Sequence, residues 1–170
     1  WREPAEAPLL RTPLYQAHAR LTRKLIPFAG WEMPVAYQQG ILEEHARTRR
    51  FGGLFDISHM GRFLIRGIDA VPFMQHVLTN NATALDPGVA QYTLIQNEEG
   101  GSMDDAYLYR LEEGDPSLET NYLLVVNAAN KEKVWSWFLD HKRRFKNMVI
   151  EDKTDEIGMI ALQGPHTKRV

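Results

Sequence analysis

Two adjacent carboxylates, Asp104 and Asp105, have the clearest chemical potential in this sequence. They follow the turn residues Gly100-Gly101 and enter a segment typical of a buried strand, where an ionised carboxylate is costly unless a partner pairs with it or a reaction uses it. Because successive strand residues face opposite ways, the two aspartates must have different roles. Asp105 shares its face with Tyr107 and Tyr109, and this surface suits a flat heteroaromatic ligand with an ionisable nitrogen. The same spacing also suits an Asx turn or a salt bridge at the end of a strand.

The elements that position these residues are a β-hairpin and the strand that follows it. The pattern predicts strands at 91–96 and 103–110, joined across 97–101, and a strongly hydrophobic strand at 121–127. Other predicted strands are 24–28, 54–57, 62–66, 148–151 and 157–162, and predicted helices are 13–21, 39–50, 70–78 and 131–143. Asp69 and Asn130 are expected to cap two helices, Gly52-Gly53 to close another, and 29–34, 80–88 and 112–120 to be loops. Hairpins without regular βαβ alternation indicate an α+β fold with antiparallel sheets and flanking helices.

The composition excludes several classes of function. Of the 170 residues, 44% are hydrophobic and 10% aromatic, which is typical of a globular domain rather than a disordered chain. The net charge of −2 lacks the basic excess of non-specific nucleic-acid binders. The lack of cysteine excludes disulfides, thiolate catalysis and zinc–thiolate sites within this chain, and fits a reducing compartment. No apolar run approaches the roughly 20 residues that cross a bilayer, so neither a nucleic-acid nor a membrane partner is predicted.

Five phrases occur in an order and at a spacing that match one protein family. They are FAGWEMP at 28–34, FDISHMG at 55–61, GGSMDD at 100–105, VVNAAN at 125–130 and ALQGP at 161–165. From about Thr12 to Val170 the sequence therefore resembles the glycine-cleavage T-protein, the tetrahydrofolate-dependent aminomethyltransferase. Because proteins of that family are longer, the resemblance implies the N-terminal portion of a folate-binding aminomethyltransferase fold, truncated at the C-terminus. Residues 1–11 are predicted to be disordered or extended, 12–170 to form an incomplete folate-binding region, and 163–170 to be a turn leading into a helix.

The resemblance also implies a reaction and a set of site residues. The family's enzyme accepts an aminomethyl group from the lipoyl arm of the H-protein, moves the one-carbon unit to N5 of tetrahydrofolate and releases ammonia. The second carboxylate of the family's pair maps onto Asp105, which is thus implied to orient N5 and to stabilise developing positive charge, while proton transfer by Asp105 stays open. The family's folate contacts map onto Tyr92, Tyr109, Asn127 and Met60. For the tyrosines the alternative is ordinary half-buried strand packing, and for Met60 a core or loop hydrophobe.

Three other motifs have simple structural explanations. Ser58 and His59 are adjacent and cannot converge as a catalytic relay, so His59 is predicted to be a structural histidine at a turn. The run Glu43-Glu44-His45 lacks the His-Glu-x-x-His spacing of a zinc site, and no metal site is predicted. The basic run 141–146 is typical of a solvated helix end, with an acidic partner or the glutamyl tail of folate as the alternative.

The sequence departs from the family at three places, one of which is an extended loop at 112–120, and leaves other functions open. It has Thr79-Asn80-Asn81 where the family usually has Thr-Asn-Asp, and Thr22-Arg23-Lys24 where Gly-Ala-Lys is common. The alternatives are a non-catalytic folate-binding module, or the folate domain of a dimethylglycine or sarcosine dehydrogenase. The phrase Ser58-His59-Met60-Gly61 and the intact aspartate pair favour the T-protein, and no flavin-binding Gly-x-Gly-x-x-Gly is present. The expected compartment is the cytoplasm for a bacterial source and the mitochondrial matrix for a eukaryotic one.

Overall fold

A computed structural model describes residues 8–112 and 121–169. Its helices are α1 (Tyr15–Leu21), α2 (Ile41–Arg50), α3 (Ala70–Val77) and α4 (Lys131–Lys142), with 3-10 turns at Ala82–Ala84, Ala128–Asn130 and Thr167–Arg169. Its strands are β1 (Leu25–Phe28), β2 (Trp31–Pro34), β3 (Gly53–Asp56), β4 (Gly61–Arg66), β5 (Ala90–Gln96), β6 (Ser102–Arg110), β7 (Asn121–Val126), β8 (Val149–Asp152) and β9 (Ile160–Gln163). The pairs among these strands are antiparallel, so the predicted α+β class is confirmed.

The chain divides into two compact units. The first consists of the chain up to His59 together with the segment from Gly158 onward, and contains the β1–β2 hairpin, the β3–β9 pair and helices α1 and α2. The second, Met60–Ile157, contains a sheet with the strand order β5-β6-β7-β4-β8, together with α3 and α4. The candidate site lies in the second unit.

The core of the second unit lies between one face of its sheet and the two helices. Phe63 of β4, Phe73 of α3 and Phe138 of α4 are fully buried and meet edge to face, at ring-centroid distances of 6.2 Å and 5.4 Å from Phe138. Burying an aromatic side chain of this size contributes about 1.5–3 kcal/mol, and edge-to-face pairs add to that. The sheet is therefore anchored to the helices on one side. Side chains of β6 that point away from the helices lie on the other face of the sheet.

Several sequence predictions are wrong in detail. Trp31–Pro34, predicted to be loop, is strand β2, because it pairs antiparallel with β1 and buries Trp31. Helix α2 is not closed by a left-handed glycine, since neither Gly52 nor Gly53 has a positive φ. The side chain of Asp69 does not cap α3 but accepts the backbone N–H of Asn147 at 2.8 Å.

Two predicted segments fall partly outside the described residues, and one further finding concerns the helices. Residues 1–7 and 113–120, which belong to the predicted N-terminal segment and to the predicted loop 112–120, lie outside the described residues. Within residues 8–112 and 121–169, no helix has the length and apolar character needed to span a bilayer.

Candidate functional site

Strand β6 sends its two aspartates to opposite faces of the sheet. Asp104 is 6% exposed and lies on the core side with Ala106 and Leu108, whereas Asp105 and Tyr107 are exposed on the other side. The hairpin turn before β6 places Gly100 at a φ of +80°, a left-handed conformation that glycine adopts without strain. The prediction that the two aspartates face opposite ways is confirmed, and only one of them is accessible from outside.

The outer face of the hairpin is an aromatic surface made by three tyrosines, which we call the tyrosine face: Tyr92 of β5 and Tyr107 and Tyr109 of β6. Tyr92 and Tyr107 are register partners, and their rings meet edge to face at 5.5 Å. The rings of Tyr107 and Tyr109 follow at 6.2 Å. Tyr92 is 48% exposed and Tyr107 49% exposed, so their rings are available to stack on a planar ligand. Tyr107 was noted in the sequence as a neighbour of Asp105 but was not predicted to be a ligand contact.

Both carboxylate oxygens of Asp105 accept hydrogen bonds from neighbouring strands. The hydroxyl of Tyr92 donates to Oδ2 at 2.9 Å, and Nδ2 of Asn127 donates to Oδ1 at 2.8 Å. The bond to Asp105 is the main reason why the pKa of Tyr92 lies above its ordinary value of 10.0, so Tyr92 remains a neutral donor at physiological pH. Neutral donors fix the orientation of Asp105 without neutralising it, and its charge faces the tyrosine face.

The buried Asp104 is satisfied by two asparagines at the start of α4. Its Oδ2 accepts the backbone N–H of Asn127 at 3.1 Å, and its Oδ1 accepts Nδ2 of Asn127 at 2.8 Å and Nδ2 of Asn130 at 2.9 Å. Three donors offset the cost of burying the carboxylate. Asn130 was predicted to cap α4, but it makes no side-chain cap hydrogen bond. The contact of Asn130 with Asp104 is not among the sequence predictions, although the spacing Asn127-x-x-Asn130 directly after a buried strand is a signal for it.

The remaining predicted contact, Met60, lies at the same end of the sheet as Asn127. Gly61 is the register partner of Val126 in the antiparallel pair of β4 and β7. Met60 precedes Gly61 and Asn127 follows Val126, so both lie just beyond this end of the pair. A Cβ at Gly61 would come within 2.6 Å of Cγ2 of Val126, which requires the smallest residue where these strands approach. Met60 is half-buried, and its carbonyl accepts Nη1 of the buried Arg62 at 2.6 Å. This hydrogen bond fixes the backbone of Met60.

The segment after α3 supports the outer edge of the hairpin. Asn80 donates from Nδ2 to the carbonyl of Tyr92 at 2.5 Å. Thr79 accepts the N–H of Leu94 at its hydroxyl, at 3.1 Å, and donates its own N–H to the carbonyl of Leu94 at 3.0 Å. These bonds satisfy backbone groups along β5 and hold Tyr92 in register.

Two motifs of the first unit have structural roles. The hydroxyl of Ser58 exchanges hydrogen bonds with the backbone of Met159, donating at 3.1 Å and accepting at 2.9 Å. His59 meets the ring of Phe28 edge to face at 5.7 Å. In these interactions Ser58 and His59 contact different neighbours.

The basic run 141–146 begins in the last turn of α4, a helix that packs on the core side of the sheet. Val134 and Phe138 of α4 are buried in that core, and Arg143 forms an ion pair with Asp140 at 3.0 Å. Since the sheet lies between α4 and the tyrosine face, this geometry favours the solvated helix end over a contact with the tail of a ligand on that face. In the described part of the chain, no group of three or more histidine and carboxylate side chains has a metal-binding arrangement.

Comparison with known proteins identifies the family. The family profile described as the GCVT N-terminal domain matches residues 14–170. The chain belongs to this family. The resemblance of the five sequence phrases to the T-protein is confirmed by this match and by the relatives described next.

Relatives of known name share almost the whole chain. It is 45% identical over 162 residues to an aminomethyltransferase of Geobacillus kaustophilus, and 43% identical over 164 residues to one of Symbiobacterium thermophilum. Each match covers 95% of this chain and 42% of the relative. The crystal structure of the glycine cleavage system aminomethyltransferase T from Bartonella henselae superimposes with a TM-score of 0.85 at 35% identity, again over 95% of this chain and 42% of that one. The chain thus spans well under half the length of these relatives.

Proposed function

We propose that this chain forms part of a tetrahydrofolate-dependent aminomethyltransferase of glycine cleavage. The observation that carries the proposal is the carboxylate of Asp105, held at both oxygens by Tyr92 and Asn127 and open to an aromatic face. The proposal also rests on the family match and on relatives that are named aminomethyltransferases. In this reaction the one-carbon unit passes from the aminomethyl-lipoyl arm of the H-protein to tetrahydrofolate, and ammonia is released.

The residues on the tyrosine face fit a reduced pterin. Tyr92 and Tyr109 offer rings for stacking, Asn127 offers an amide, and Asp105 offers an acceptor for an N–H or a counter-charge for a cation. Tetrahydrofolate, when bound, supplies the nitrogen nucleophile that takes up the one-carbon unit. Met60 is proposed as a contact at the neighbouring end of the sheet on the basis of the resemblance.

In this proposal Asp105 acts through fixed charge and position. Because its two oxygens are already bonded to neutral donors, it does not need to reorganise when positive charge develops nearby. Pre-organised charges of this kind typically contribute about 2.7–4 kcal/mol to a transition state, or about 100–1,000-fold in rate. Asp105 also orients the accepting nitrogen of tetrahydrofolate, so that the bound molecule is held in a geometry suited to transfer of the one-carbon unit.

The partners follow from the same proposal. A lipoylated H-protein presents the substrate, tetrahydrofolate is the co-substrate, and neither nucleic acid nor membrane is involved. We place the protein in the cytoplasm of a bacterial source or in the mitochondrial matrix of a eukaryotic one. Among the alternatives, a folate-binding module without catalysis would need the tyrosine face but not the charge of Asp105, and this difference makes the two functions separable.

The deciding experiment substitutes Asp105→Asn in the full-length protein, with Glu99→Gln in the exposed hairpin turn as the charge-matched control. Ammonia release from the aminomethylated H-protein and calorimetric titration with reduced tetrahydrofolate are measured on both. We expect Asp105→Asn to lower the turnover rate by about 100-fold or more while the folate affinity changes by less than about threefold. An unchanged turnover rate contradicts the role of Asp105, and a wild-type protein that binds folate without transfer supports the non-catalytic module.

A second experiment tests the tyrosine face directly. The 170-residue chain is titrated with reduced tetrahydrofolate, alongside Tyr109→Ala. Micromolar binding that weakens in the variant supports a folate surface within these residues. A folded chain that does not bind assigns the indispensable contacts to the rest of the full-length protein.

A further inference from the structure

A single side-chain amide links the buried and the exposed aspartate. Nδ2 of Asn127 lies 2.8 Å from Oδ1 of Asp104 and 2.8 Å from Oδ1 of Asp105, and 3.2 Å from the carbonyl of Asp105. A primary amide has two N–H bonds, so one can point to each carboxylate. Asn127 therefore links Asp104 on the core side of β6 to Asp105 on the outer face by hydrogen bonds.

The two carboxylates determine which way this amide faces. An ionised carboxylate only accepts hydrogen bonds, so the edge of Asn127 that faces Asp104 and Asp105 must be its NH₂ group. The carbonyl oxygen of the same amide must then point away from both aspartates. Without Asp104, the Asn127 amide would be held only by its bonds to Oδ1 and to the carbonyl of Asp105, and its orientation would be less restricted.

Asn130 supports Asp104 rather than its own helix. It occupies the N-cap position of α4, where asparagine normally accepts a hydrogen bond from a backbone N–H of the first turn. Instead its Nδ2 donates to Oδ1 of Asp104 at 2.9 Å, and no side-chain cap bond is formed. A residue type suited to capping, at the capping position, is used to hold a carboxylate in place.

We propose that Asp104 and Asn130 are positioning residues for the proposed transfer reaction. Asn130 holds Asp104, Asp104 sets the orientation of the Asn127 amide, and that amide fixes Oδ1 of Asp105. This inference rests on the proposed function of Asp105. Neither Asp104 nor Asn130 touches the outer face, so both act only through Asn127.

The sharpest test is Asn130→Ser in the full-length protein. Serine suits the N-cap position of a helix as well as asparagine does, so the variant keeps that preference while it loses the Nδ2 donor to Asp104, and we expect only a modest fall in its thermal unfolding midpoint. We expect turnover to fall by about 3- to 10-fold, which is less than the direct loss of a hydrogen bond to a charged group produces, because Asn130 reaches Asp105 only through Asp104 and Asn127. We also expect the side-chain amide protons of Asn127 to exchange faster with solvent, as measured by NMR. A purely structural role predicts that both quantities stay at their wild-type values, and that result overturns the proposal.

Asp104→Asn provides the second variant, with Asp69→Asn as its matched control. Asp104→Asn removes the charge and replaces one of the two carboxylate oxygens by an NH₂ group, which cannot accept the hydrogen bonds that Asn127 and Asn130 donate. The carboxylate of Asp69, by contrast, accepts the backbone N–H of Asn147. Turnover should fall by about 10-fold or more in Asp104→Asn and stay within twofold in Asp69→Asn. Equal effects of the two variants overturn the proposal.

The failure of this inference is distinguishable from that of the proposed function. A wild-type protein that neither binds nor uses tetrahydrofolate overturns the proposed function, and with it the kinetic part of this inference. The exchange of the Asn127 amide protons still tests the positioning chain in that case. Faster exchange in both Asn130→Ser and Asp104→Asn supports it, and unchanged exchange in both overturns it.

Discussion

Replacing Asn127 by aspartate should turn the link between the two aspartates into a repulsion. Asn127→Asp has nearly the same shape, but it substitutes an acceptor for the NH₂ group that lies 2.8 Å from an oxygen of Asp104 and 2.8 Å from an oxygen of Asp105. Two favourable hydrogen bonds become two close carboxylate pairs. The backbone N–H of Asn127, which also donates to Asp104, is unaffected by the change.

The size of the effect follows from the distances. Two like charges about 4 Å apart repel by about 1 kcal/mol in water and about 4 kcal/mol at the effective dielectric constant near a protein surface. Since Asp104 is buried and Asp105 exposed, we expect the two pairs together to cost about 2–4 kcal/mol at pH 8. The introduced carboxyl group relieves this cost by taking up a proton, so the two neighbouring carboxylates raise its pKa in the folded state above the unfolded value of about 3.9.

The sign of the pH dependence is fixed by that rise. The folded state binds the proton more tightly than the unfolded state, so the repulsive part of the destabilisation is absent below the unfolded pKa and complete above the folded one. Urea unfolding at about pH 4.5 and at pH 8, followed by tryptophan fluorescence, should therefore show a larger loss at pH 8. Below the folded pKa the protonated group can again donate to one of the two aspartates.

Asn81→Asp is the matched control for this substitution. Oδ1 of Asn81 accepts the backbone N–H of Thr83 at 3.0 Å and Nε2 of Gln75 at 2.9 Å, so a carboxylate there can make the same bonds. We expect Asn81→Asp to be neutral or slightly stabilising at both pH values. If Asn127→Asp costs no more than Asn81→Asp at pH 8, or if its cost does not shrink toward acid, the assigned geometry of the Asn127 amide is wrong.

Three further predictions concern other parts of the molecule. Tyr92→Phe keeps the ring but removes the donor to Asp105, so steady-state assays should show a several-fold lower transfer rate, against less than twofold for Tyr107→Phe. Leu108→Ala should cost about 2–5 kcal/mol in urea unfolding because Leu108 is fully buried, whereas Tyr107→Ala on the opposite face of β6 should cost less than about 1.5 kcal/mol. Although burial alone would raise the pKa of Asp56, hydrogen bonds, including one from His18 at 2.9 Å, lower it below 3.8, so its contribution to stability is present above that pH and is lost as the pH falls through the folded value. Asp56→Asn should therefore lower the thermal unfolding midpoint at pH 7, and the gap to wild type should narrow steadily below about pH 4.

The outer face of the hairpin was predictable because it depends on a local rule. Strand alternation separates Asp104 from Asp105 and groups Asp105 with Tyr107 and Tyr109, and it needs no knowledge of tertiary structure. Pairing across the turn, with Tyr92 opposite Tyr107, follows from the same hairpin. The family resemblance supplied Asn127, which the strand pattern alone marked only as the end of a strand.

What escaped prediction is the choice among partners for polar side chains. Asp69 and Asn130 both occupy capping positions, yet Asp69 bonds to Asn147 and Asn130 to Asp104, because each finds a tertiary partner that local spacing cannot reveal. The segment that contains Trp31 forms a strand of only four residues, directly after a turn that includes Gly30. Short strands are determined by the partner strand rather than by their own sequence.

The network around Asp105 also has a consequence for how the protein is made. Its hydrogen-bonded partners are separated by only 13 to 26 residues along the chain, from Tyr92 with Asp105 to Asp104 with Asn130. Closing such short loops costs little entropy, and structures built from near neighbours in sequence form quickly. On the ribosome, this carboxylate and its donors can therefore reach their final arrangement once the second unit, which ends at Ile157, has emerged. We accordingly expect substitutions far downstream to lower the yield of folded protein while leaving this group of side chains correctly assembled in the molecules that do fold.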